Sequence, residues 1–257
     1  MEGLRAALAG LRFGQPLHYF GAVGSTNDEA RRLAEAGAPE GALVVADTQT
    51  AGKGRAGRRW LTPPGTALAF SLVLRPALAA GEAARLTMLA GLAVAEAAEA
   101  AAARPARLKW PNDVLVDGAK AGGILVESVL TGERLDYAVI GIGLNVSAAP
   151  PPEAVDFPAA ALQNPGAAPI DRWRLLGDLL ARMEAVYRLA TDADGEALRA
   201  FWAARLAWLG ETVSARAADG EVVGRAEGVA ADGALLIRLP SGEVRRVLAG
   251  DVRLRLP

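Results

Sequence analysis

The sequence of 257 residues contains no cysteine and only one histidine, His18. Without cysteine, disulfides, thiolate nucleophiles and cysteine-based zinc or iron–sulfur sites are excluded. His18 lies in an apolar, strand-like stretch without an acidic neighbour, so we assign it a structural role. Any chemistry must therefore depend mainly on positive charge, on positioning and on backbone amides.

Long apolar runs and an excess of one charge are also missing. The net charge of −1 gives no basic field for nucleic acid, so we expect no nucleic-acid partner. Residues 1–14 carry charge throughout and do not form a secretory signal. The most apolar predicted helix, 82–103, is free of charge only over residues 86–95, too few to span a bilayer. We therefore expect no membrane partner and a cytoplasmic location.

Lysine is scarce, because only three of the 28 basic residues are lysines: Lys53, Lys109 and Lys120. The arginine excess is explained by a general compositional bias. The three lysines nevertheless all lie in the segments richest in motifs, described below. Because a compact ammonium group cannot be exchanged freely for the planar arginine fork, we expect these positions to need lysine.

The hydrophobic pattern predicts a hairpin-rich sheet with helices before, within and after it. The predicted helices are 1–13, a helix capped by Ser25 or Thr26 and ended by Gly37, 82–103, 173–189 and 196–209. The predicted strands are 17–23, 42–47, 67–74, 107–110, 114–116, 122–130 and 135–146. A glycine- and arginine-rich loop extends to Gly65, and residues 148–169 are predicted to form a second long loop.

The C-terminal part of the chain has a different pattern. From Glu211 onward, short β-rich runs alternate with Asp-Gly or Ser-Gly turns about every ten residues. This rhythm predicts a small antiparallel barrel of roughly 50 residues. We place a domain boundary near residues 209–210, which gives an N-terminal domain 1–209 and a C-terminal domain 210–257.

The segment Gly52–Trp60 reads GKGRAGRRW and combines three glycines with four basic residues. Its glycines match the dinucleotide-binding fingerprint, but prolines follow it where that motif needs a helix. Arg58-Arg59 stands where a phosphate-binding Walker loop has Lys-Ser/Thr. The segment therefore predicts a loop that closes over an anion and is disordered without one, with a solvated basic loop or a nucleic-acid contact as alternatives.

Three further segments bring polar groups and glycines together: RLKWPND at 107–113, KAGGILVE at 120–127 and IGIGLNV at 140–146. In the first, Asn112 and Asp113 place an amide and a carboxylate at a turn, although an ordinary Asn-Asp turn explains them equally well. Gly122-Gly123 permits the close approach of a ligand, or marks a bulge. Each segment alone is a weak signal.

These segments, with Gly24-Ser25-Thr26-Asn27 and Gln49, resemble in order and spacing the catalytic domain of biotin–protein ligases. The resemblance covers about residues 17–257. It implies an α+β fold with a mixed, largely antiparallel sheet flanked by helices, of the class II synthetase and biotin ligase type. It also implies that the small C-terminal barrel is SH3-like.

The resemblance implies an enzyme that uses ATP and Mg²⁺ to activate biotin as biotinyl-5′-AMP. The biotin would then pass to a lysine of a biotin carboxyl carrier protein. A lipoate or octanoate ligase of the same superfamily is the nearest alternative, and a non-catalytic nucleotide-binding module is another. A biotin-sensing repressor is a third, but the 24 residues before Ser25 are too few for its DNA-binding domain. The oligomeric state, a homodimer included, stays open.

Roles for individual residues are also carried over from the resemblance. The implied catalytic residues are Lys120 and Arg55. The implied biotin-binding residues are Ser25, Thr26, Asn27, Gln49, Gly52, Lys53, Gly54, Arg55, Lys120, Gly123 and Gly141. The implied ATP-binding residues are Arg55, Arg58, Trp60, Asn112, Asp113, Lys120 and Asn145. No residue is assigned as a metal ligand, and Lys53 stands where the family commonly has arginine.

Overall fold

The computed structural model describes residues 1–61, 63–192, 194–217 and 220–255. Five helices are found there: α1 Glu2–Ala7, α2 Thr26–Glu35, α3 Ala84–Ala102, α4 Arg172–Thr191 and α5 Glu196–Ala204. The first seven strands are β1 Leu17–Phe20, β2 Leu43–Ala46, β3 Ala67–Leu74, β4 Ala106–Lys109, β5 Asp113–Val116, β6 Ala119–Thr131 and β7 Arg134–Asn145. The last five are β8 Thr212–Ala217, β9 Gly220–Val229, β10 Leu235–Arg238, β11 Val244–Val247 and β12 Asp251–Leu254.

The first seven strands form one mixed sheet in the order β1-β2-β3-β7-β6-β5-β4. Only β1 and β2 pair in parallel, and the other neighbours are antiparallel. Helices α3 and α4 pack against one face of this sheet and α2 against the other. The prediction of an α+β fold with a largely antiparallel sheet flanked by helices is therefore confirmed.

The two faces of the central strands differ because side chains alternate along a strand. On β7, Ile140, Ile142 and Leu144 point into the main hydrophobic core. The intervening positions, Gly141 and Gly143, carry no side chain and pair with residues of β3 and β6. The sequence IGIGL thus gives the sheet one apolar face and one face on which the missing side chains leave open space.

Several predicted boundaries need correction. The first helix ends at Ala7 and not at residue 13, because the chain turns and Gly10 has a positive φ of 80°. The last predicted helix ends at Ala204 and not at 209, because Leu206 leaves it to form a bridge with Leu108 of β4. Strand β1 is shorter than predicted, and β6 begins three residues earlier.

The last five strands form an antiparallel sheet in the order β11-β10-β9-β8-β12. No pairing between β11 and β12 closes this sheet among the described residues, so the predicted barrel is seen as a five-stranded sheet. The turn between β9 and β10 contacts the residue that follows β4, since the indole N–H of Trp110 donates to the carbonyl of Gly233 at 2.9 Å. The domain boundary near 209–210 stays a prediction.

Over the same described ranges, no helix is long and apolar enough to cross a membrane.

Candidate active site

A cavity of about 410 Å³ lies over the glycine face of the large sheet. The beginning of α2, the loop 51–61, the turn before β5 and the segment 150–159 surround it. Its lining includes all but one of the residues predicted from the sequence: Ser25, Thr26, Asn27, Gln49, Lys53, Gly54, Arg55, Arg58, Trp60, Asn112, Asp113, Lys120, Gly123, Gly141 and Asn145. Segments far apart in the chain are thus brought together as the motifs predicted.

Neutral polar side chains lie at the end of the cavity beside α2, which we call the amide end: Thr26, Asn27 and Gln49 in the lining, with Ser71 fully buried behind them. The Ser71 hydroxyl oxygen lies 2.8 Å from Thr26 Oγ1 and 2.7 Å from Asn27 Oδ1. Gln49 Oε1 accepts the backbone N–H of Thr26 at 2.8 Å and lies 3.0 Å from its hydroxyl. Because buried, mutually hydrogen-bonded groups hold fixed orientations, this end is suited to a ligand with neutral donors and acceptors.

Two glycines of β7 make room for this arrangement. A Cβ at Gly141 would overlap Asn27 Oδ1, and a Cβ at Gly143 would overlap the indole ring of Trp60. Gly143 is a lining residue that the sequence analysis did not assign. The glycine spacing in IGIGLNV was the signal for it, because Gly141 and Gly143 share one face of the strand.

The predicted anion loop is folded back on itself over the cavity. The N–H of Gly54 donates to Arg58 O at 2.7 Å, and the N–H of Trp60 donates to Gly52 O at 2.9 Å. Gly52 does not line the main cavity, so its predicted contact with ligand stays a prediction. A Cβ there would overlap Trp60 O, so this glycine permits the close return of the loop. The predicted disorder of the empty loop stays a prediction.

The loop places its cations unequally. The ammonium group of Lys53 pairs with Asp28 on α2. Arg55 is half-buried, and its Nη1 lies 3.5 Å from Asn112 Oδ1, at the limit of a hydrogen bond. Burial and the neighbouring charge of Arg58 lower the pKa of Arg55 from its ordinary value. Since arginine starts so far above neutral pH, it remains charged and its positive charge is poorly screened.

Charged groups occupy the opposite end of the cavity, which we call the charged end. Lys120 Nζ lies 2.6 Å from Asp113 Oδ1 and 5.8 Å from the centre of the Trp60 ring system. Lys109 is almost fully buried, with its Nζ 3.5 Å from Asp113 Oδ2 and hydrogen-bonded to Asp251 of β12. These contacts join two lysines and two aspartates into one chain of charges, to which the C-terminal sheet contributes Asp251.

The sequence analysis did not assign Asp251 to the site. Its burial raises the pKa, but the hydrogen bond and charge of Lys109, with the charges of Arg58 and Arg253, outweigh burial and lower the pKa overall. Asp251 therefore stays ionised beside Lys109. The motif segments contained no signal for this contact, because it depends on how the C-terminal sheet packs against β4.

The described side chains that line the cavity carry a net positive charge. Six cationic side chains line it, against three carboxylates: Lys53, Arg55, Arg58, Arg59, Lys109 and Lys120, against Asp113, Asp156 and Asp251. No cluster of three or more His, Cys, Asp or Glu suited to a metal is present in the described part of the chain. Such a lining favours a polyanion over a bare metal ion.

Comparisons with known proteins agree with this geometry. Residues 20–145 match the Biotin/lipoate A/B protein ligase family, and residues 208–255 match the Biotin protein ligase C terminal domain. The chain is 42% identical over 224 residues to the biotin–[acetyl-CoA-carboxylase] ligase of Paracoccus denitrificans, covering 85% of this chain and 92% of the relative. The chain belongs to the biotin protein ligase family.

Two other members of the family illustrate its range. The bifunctional ligase/repressor BirA of Bacillus subtilis is 36% identical over 94% of this chain and 74% of its own length. The biotin protein ligase of Aquifex aeolicus, solved in complex with biotin and ATP, superimposes with a TM-score of 0.76 at 32% identity, over 92% of this chain and 97% of that chain. The likeness to the Aquifex structure spans both sheets.

Proposed function

We propose that this member of the biotin protein ligase family joins biotin to ATP as biotinyl-5′-AMP. It then transfers the biotin to a lysine of a biotin carboxyl carrier protein. The observation that supports this most strongly is the division of one cavity into an amide end and a charged end. Biotin has the same division, since a neutral cyclic urea lies at one end of the molecule and a carboxylate at the other.

The amide end supports biotin over lipoate or octanoate as the substrate. A urea ring offers two N–H donors and a carbonyl acceptor to Ser25, Thr26, Asn27 and Gln49. A dithiolane ring or an alkyl chain offers neither and would leave the donor and acceptor positions that face the cavity unpaired. Such unpaired groups cost about 1–3 kcal/mol each, which is enough to reject the wrong acid strongly.

The charged end supports the adenylation step. The carboxylate oxygen of biotin attacks the α-phosphorus of ATP, and the bond from that phosphorus to the pyrophosphate oxygen breaks. Two unit charges about 4 Å apart repel by roughly 4 kcal/mol at an effective dielectric constant of 20. Lys120, Arg55 and Arg58 lie where they would offset this repulsion and stabilise the charge of the transition state. The nucleophile comes from the substrate, so the protein needs no cysteine or histidine.

The transfer step needs little from the protein beyond positioning. The uncharged amine of the carrier lysine attacks the acyl carbon of biotinyl-5′-AMP, and the bond to the AMP oxygen breaks. The amine proton is lost and AMP leaves. Because the mixed anhydride reacts with water, the folded loop from Gly52 to Trp60 protects it until the carrier arrives.

Magnesium would take part in this scheme bound to ATP. Asp113 and Asp251 line the cavity, but both are already paired with lysines. Mg²⁺ commonly binds through substrate phosphates with few protein ligands. It would therefore bind mainly through ATP and would supply further charge neutralisation at the phosphates.

Labelling of a carrier domain tests the complete proposal. Purified protein with biotin, ATP and Mg²⁺ should add one biotin to an isolated carrier domain, measured as a mass increase. The matched control is the same carrier with its acceptor lysine changed to arginine, which should stay unlabelled. Modification with lipoate or octanoate and not with biotin would contradict the proposal.

A further inference from the structure

We propose that Glu127 is a positioning residue for substrate recognition, although it does not line the main cavity. Its carboxylate would set the direction of the side-chain hydrogen bonds from Asn27 through Ser71 to Thr26 and so leave an acceptor for a ring N–H of the substrate. The inference rests on the proposed function, because it concerns how that site recognises a cyclic urea.

The side-chain amide of Asn27 can take only one orientation. Its nitrogen lies 2.7 Å from Glu127 Oε2 and 3.3 Å from the backbone carbonyl of Leu125. A carboxylate and a carbonyl can only accept, so the NH₂ group must face them. The amide oxygen of Asn27 must then face Ser71, over the space left by Gly141.

This orientation determines where the hydroxyl protons lie. Asn27 Oδ1 cannot donate, so the Ser71 hydroxyl must donate to it across the 2.7 Å contact. Ser71 has only one hydroxyl hydrogen, so at its 2.8 Å contact with Thr26 only the Thr26 hydroxyl can donate. The Thr26 hydroxyl can donate either to Ser71 or to Gln49 Oε1, and the Ser71 oxygen is the nearer of the two. When the Thr26 proton turns to Ser71, it leaves no hydrogen in the 3.0 Å contact between Thr26 Oγ1 and Gln49 Oε1.

Two oxygen atoms that face each other without a hydrogen form an acceptor site. An N–H of a cyclic urea that reaches this pair would offset their repulsion and gain a hydrogen bond. If the Asn27 amide were reversed, its nitrogen would donate to Ser71, Ser71 to Thr26, and Thr26 to Gln49. The Thr26 proton would then occupy the acceptor site, and the substrate N–H would meet it unfavourably.

Glu127 is suited to prevent this reversal. A hydrogen bond to a carboxylate is roughly twice as strong as one between neutral groups. Asn27 and Ser71 are buried, so water competes little for their hydrogen bonds. The carboxylate of Glu127, on β6, thus acts on the substrate through three side chains, Asn27, Ser71 and Thr26.

Steady-state kinetics with Glu127→Ala test the proposal. The KM for biotin should rise by roughly tenfold or more, as expected for loss of a charge-assisted hydrogen bond. The kcat and the KM for ATP should stay within about twofold, because the charged end is unchanged. Glu127→Gln keeps an acceptor for Asn27 and should recover most of the loss. Glu133→Ala, an exposed glutamate in the turn between β6 and β7, is the matched control and should behave as wild type.

A second measurement separates positioning from a merely structural role. Biotin methylated on a ureido nitrogen lacks one ring N–H. The added methyl group also weakens binding sterically, but this effect is the same in all variants and cancels when they are compared. The ratio of kcat/KM for biotin to that for the methylated compound should fall at least about fivefold in Glu127→Ala. Glu127→Gln should restore the ratio.

Ser71→Ala breaks the same chain of hydrogen bonds and provides an independent variant. Ser71→Ala should lower the ratio of kcat/KM for biotin to that for the methylated compound by the same factor as Glu127→Ala. In the double variant this ratio should fall no further than in the more strongly affected single variant. An unchanged ratio in both single variants would overturn the inference, even if their stability fell. Wild-type protein without any biotin-dependent activity would instead overturn the proposed function.

Discussion

The two ends of the cavity consist of different kinds of side chain. The amide end consists of neutral, hydrogen-bonded side chains on α2, on β3 and at Gln49, of which Thr26, Asn27 and Ser71 are buried. The charged end consists of cations on the loop 51–61 and on strands β4 and β6, balanced in part by Asp113 and Asp251. The comparison suggests a division of labour. Rigid neutral groups select the substrate, and charges bring two anions together.

If this division holds, changes at the charged end should reduce the rate, and changes at the amide end should reduce affinity. The largest expected effect is that of Lys120→Ala. A single well-placed donor at a site of developing charge contributes about 10²–10³ in rate. We therefore expect kcat for adenylation to fall by that factor while the Kd for biotin changes less than about threefold.

Arg134→Ala removes an exposed cation from the first residue of β7 and is the matched control, expected to keep wild-type kinetics. Rapid quench of adenylate formation and isothermal titration of biotin measure the two quantities separately. A Lys120→Ala variant with a rate within about threefold of wild type would show that Lys120 does not act in the catalytic step. The proposed difference between the two ends of the cavity would then lose its support.

Gly141→Ala tests the amide end. The added methyl group would overlap Asn27 Oδ1 and force the hydrogen-bonded side chains apart. Overpacking of this kind costs about 1–3 kcal/mol, equivalent to roughly 5- to 150-fold in biotin affinity. Isothermal titration should show that loss. Gly21→Ala, where nothing lies within 4 Å of the added Cβ, should bind biotin normally. Normal binding by both variants would contradict the arrangement at the amide end.

The loop between the two ends should respond to both substrates. Its three glycines raise the entropy of the open state, and its four cations repel one another until an anion binds. We expect trypsin to cut the free protein early after Lys53, Arg55, Arg58 or Arg59. Saturating biotin and ATP should slow that cleavage by at least about tenfold, because the loop must open before it is cut.

Cleavage after Arg134, the exposed first residue of β7, provides an internal reference, since this end of the β6–β7 hairpin lies away from the cavity lining. Its rate should not change with ligand. Equal cleavage of the loop with and without substrates, measured by mass spectrometry of early fragments, would show that the loop does not close on them.

The smallest expected effect concerns the contact of Asp251 with Lys109. Asp251 has a lowered pKa in the folded protein, so it stabilises the fold above its unfolded pKa of about 3.9 and loses this contribution as pH falls. A partly exposed, charge-assisted hydrogen bond contributes about 1 kcal/mol. Asp251→Asn should therefore lower Tm by about 2–4 °C at pH 7.

The Tm difference between wild type and Asp251→Asn should shrink as pH falls below about 4 toward the lowered pKa of Asp251, because the wild-type side chain then loses the charge that asparagine never carries. Calorimetry between pH 3 and pH 7 measures it. A difference that stays constant across this range would show that the charge of Asp251 is not what stabilises the contact. Asp156→Asn is the matched control, another carboxylate of the lining, and its Tm difference should be smaller at every pH.

The sequence predicted those parts of the site that lie within continuous motifs. GKGRAGRRW, KWPND and IGIGLNV each place several cavity residues within one short segment. Alternation along β7 was enough to indicate that its glycines share a face. The neutral residues Ser25, Thr26 and Asn27 begin α2, where a cap was expected.

What the sequence did not predict depends on contacts between distant strands. Ser71, Glu127 and Asp251 join the site through the pairing of β3 with β7, the pairing of β6 with β7, and the packing of the C-terminal sheet. Their local sequences are those of ordinary strands. The end of α5 was wrong for the same reason, because the bridge between Leu206 and Leu108 outweighs local helix propensity.

Exchange of labelled pyrophosphate into ATP tests the central claim most directly, because it reports the reversible joining of an acid to AMP without any carrier protein. The account predicts exchange that depends on biotin and Mg²⁺ and is absent with lipoate or octanoate. Exchange supported by lipoate or octanoate and not by biotin would contradict the account at the amide end. No exchange with any of the three acids would contradict it at the charged end.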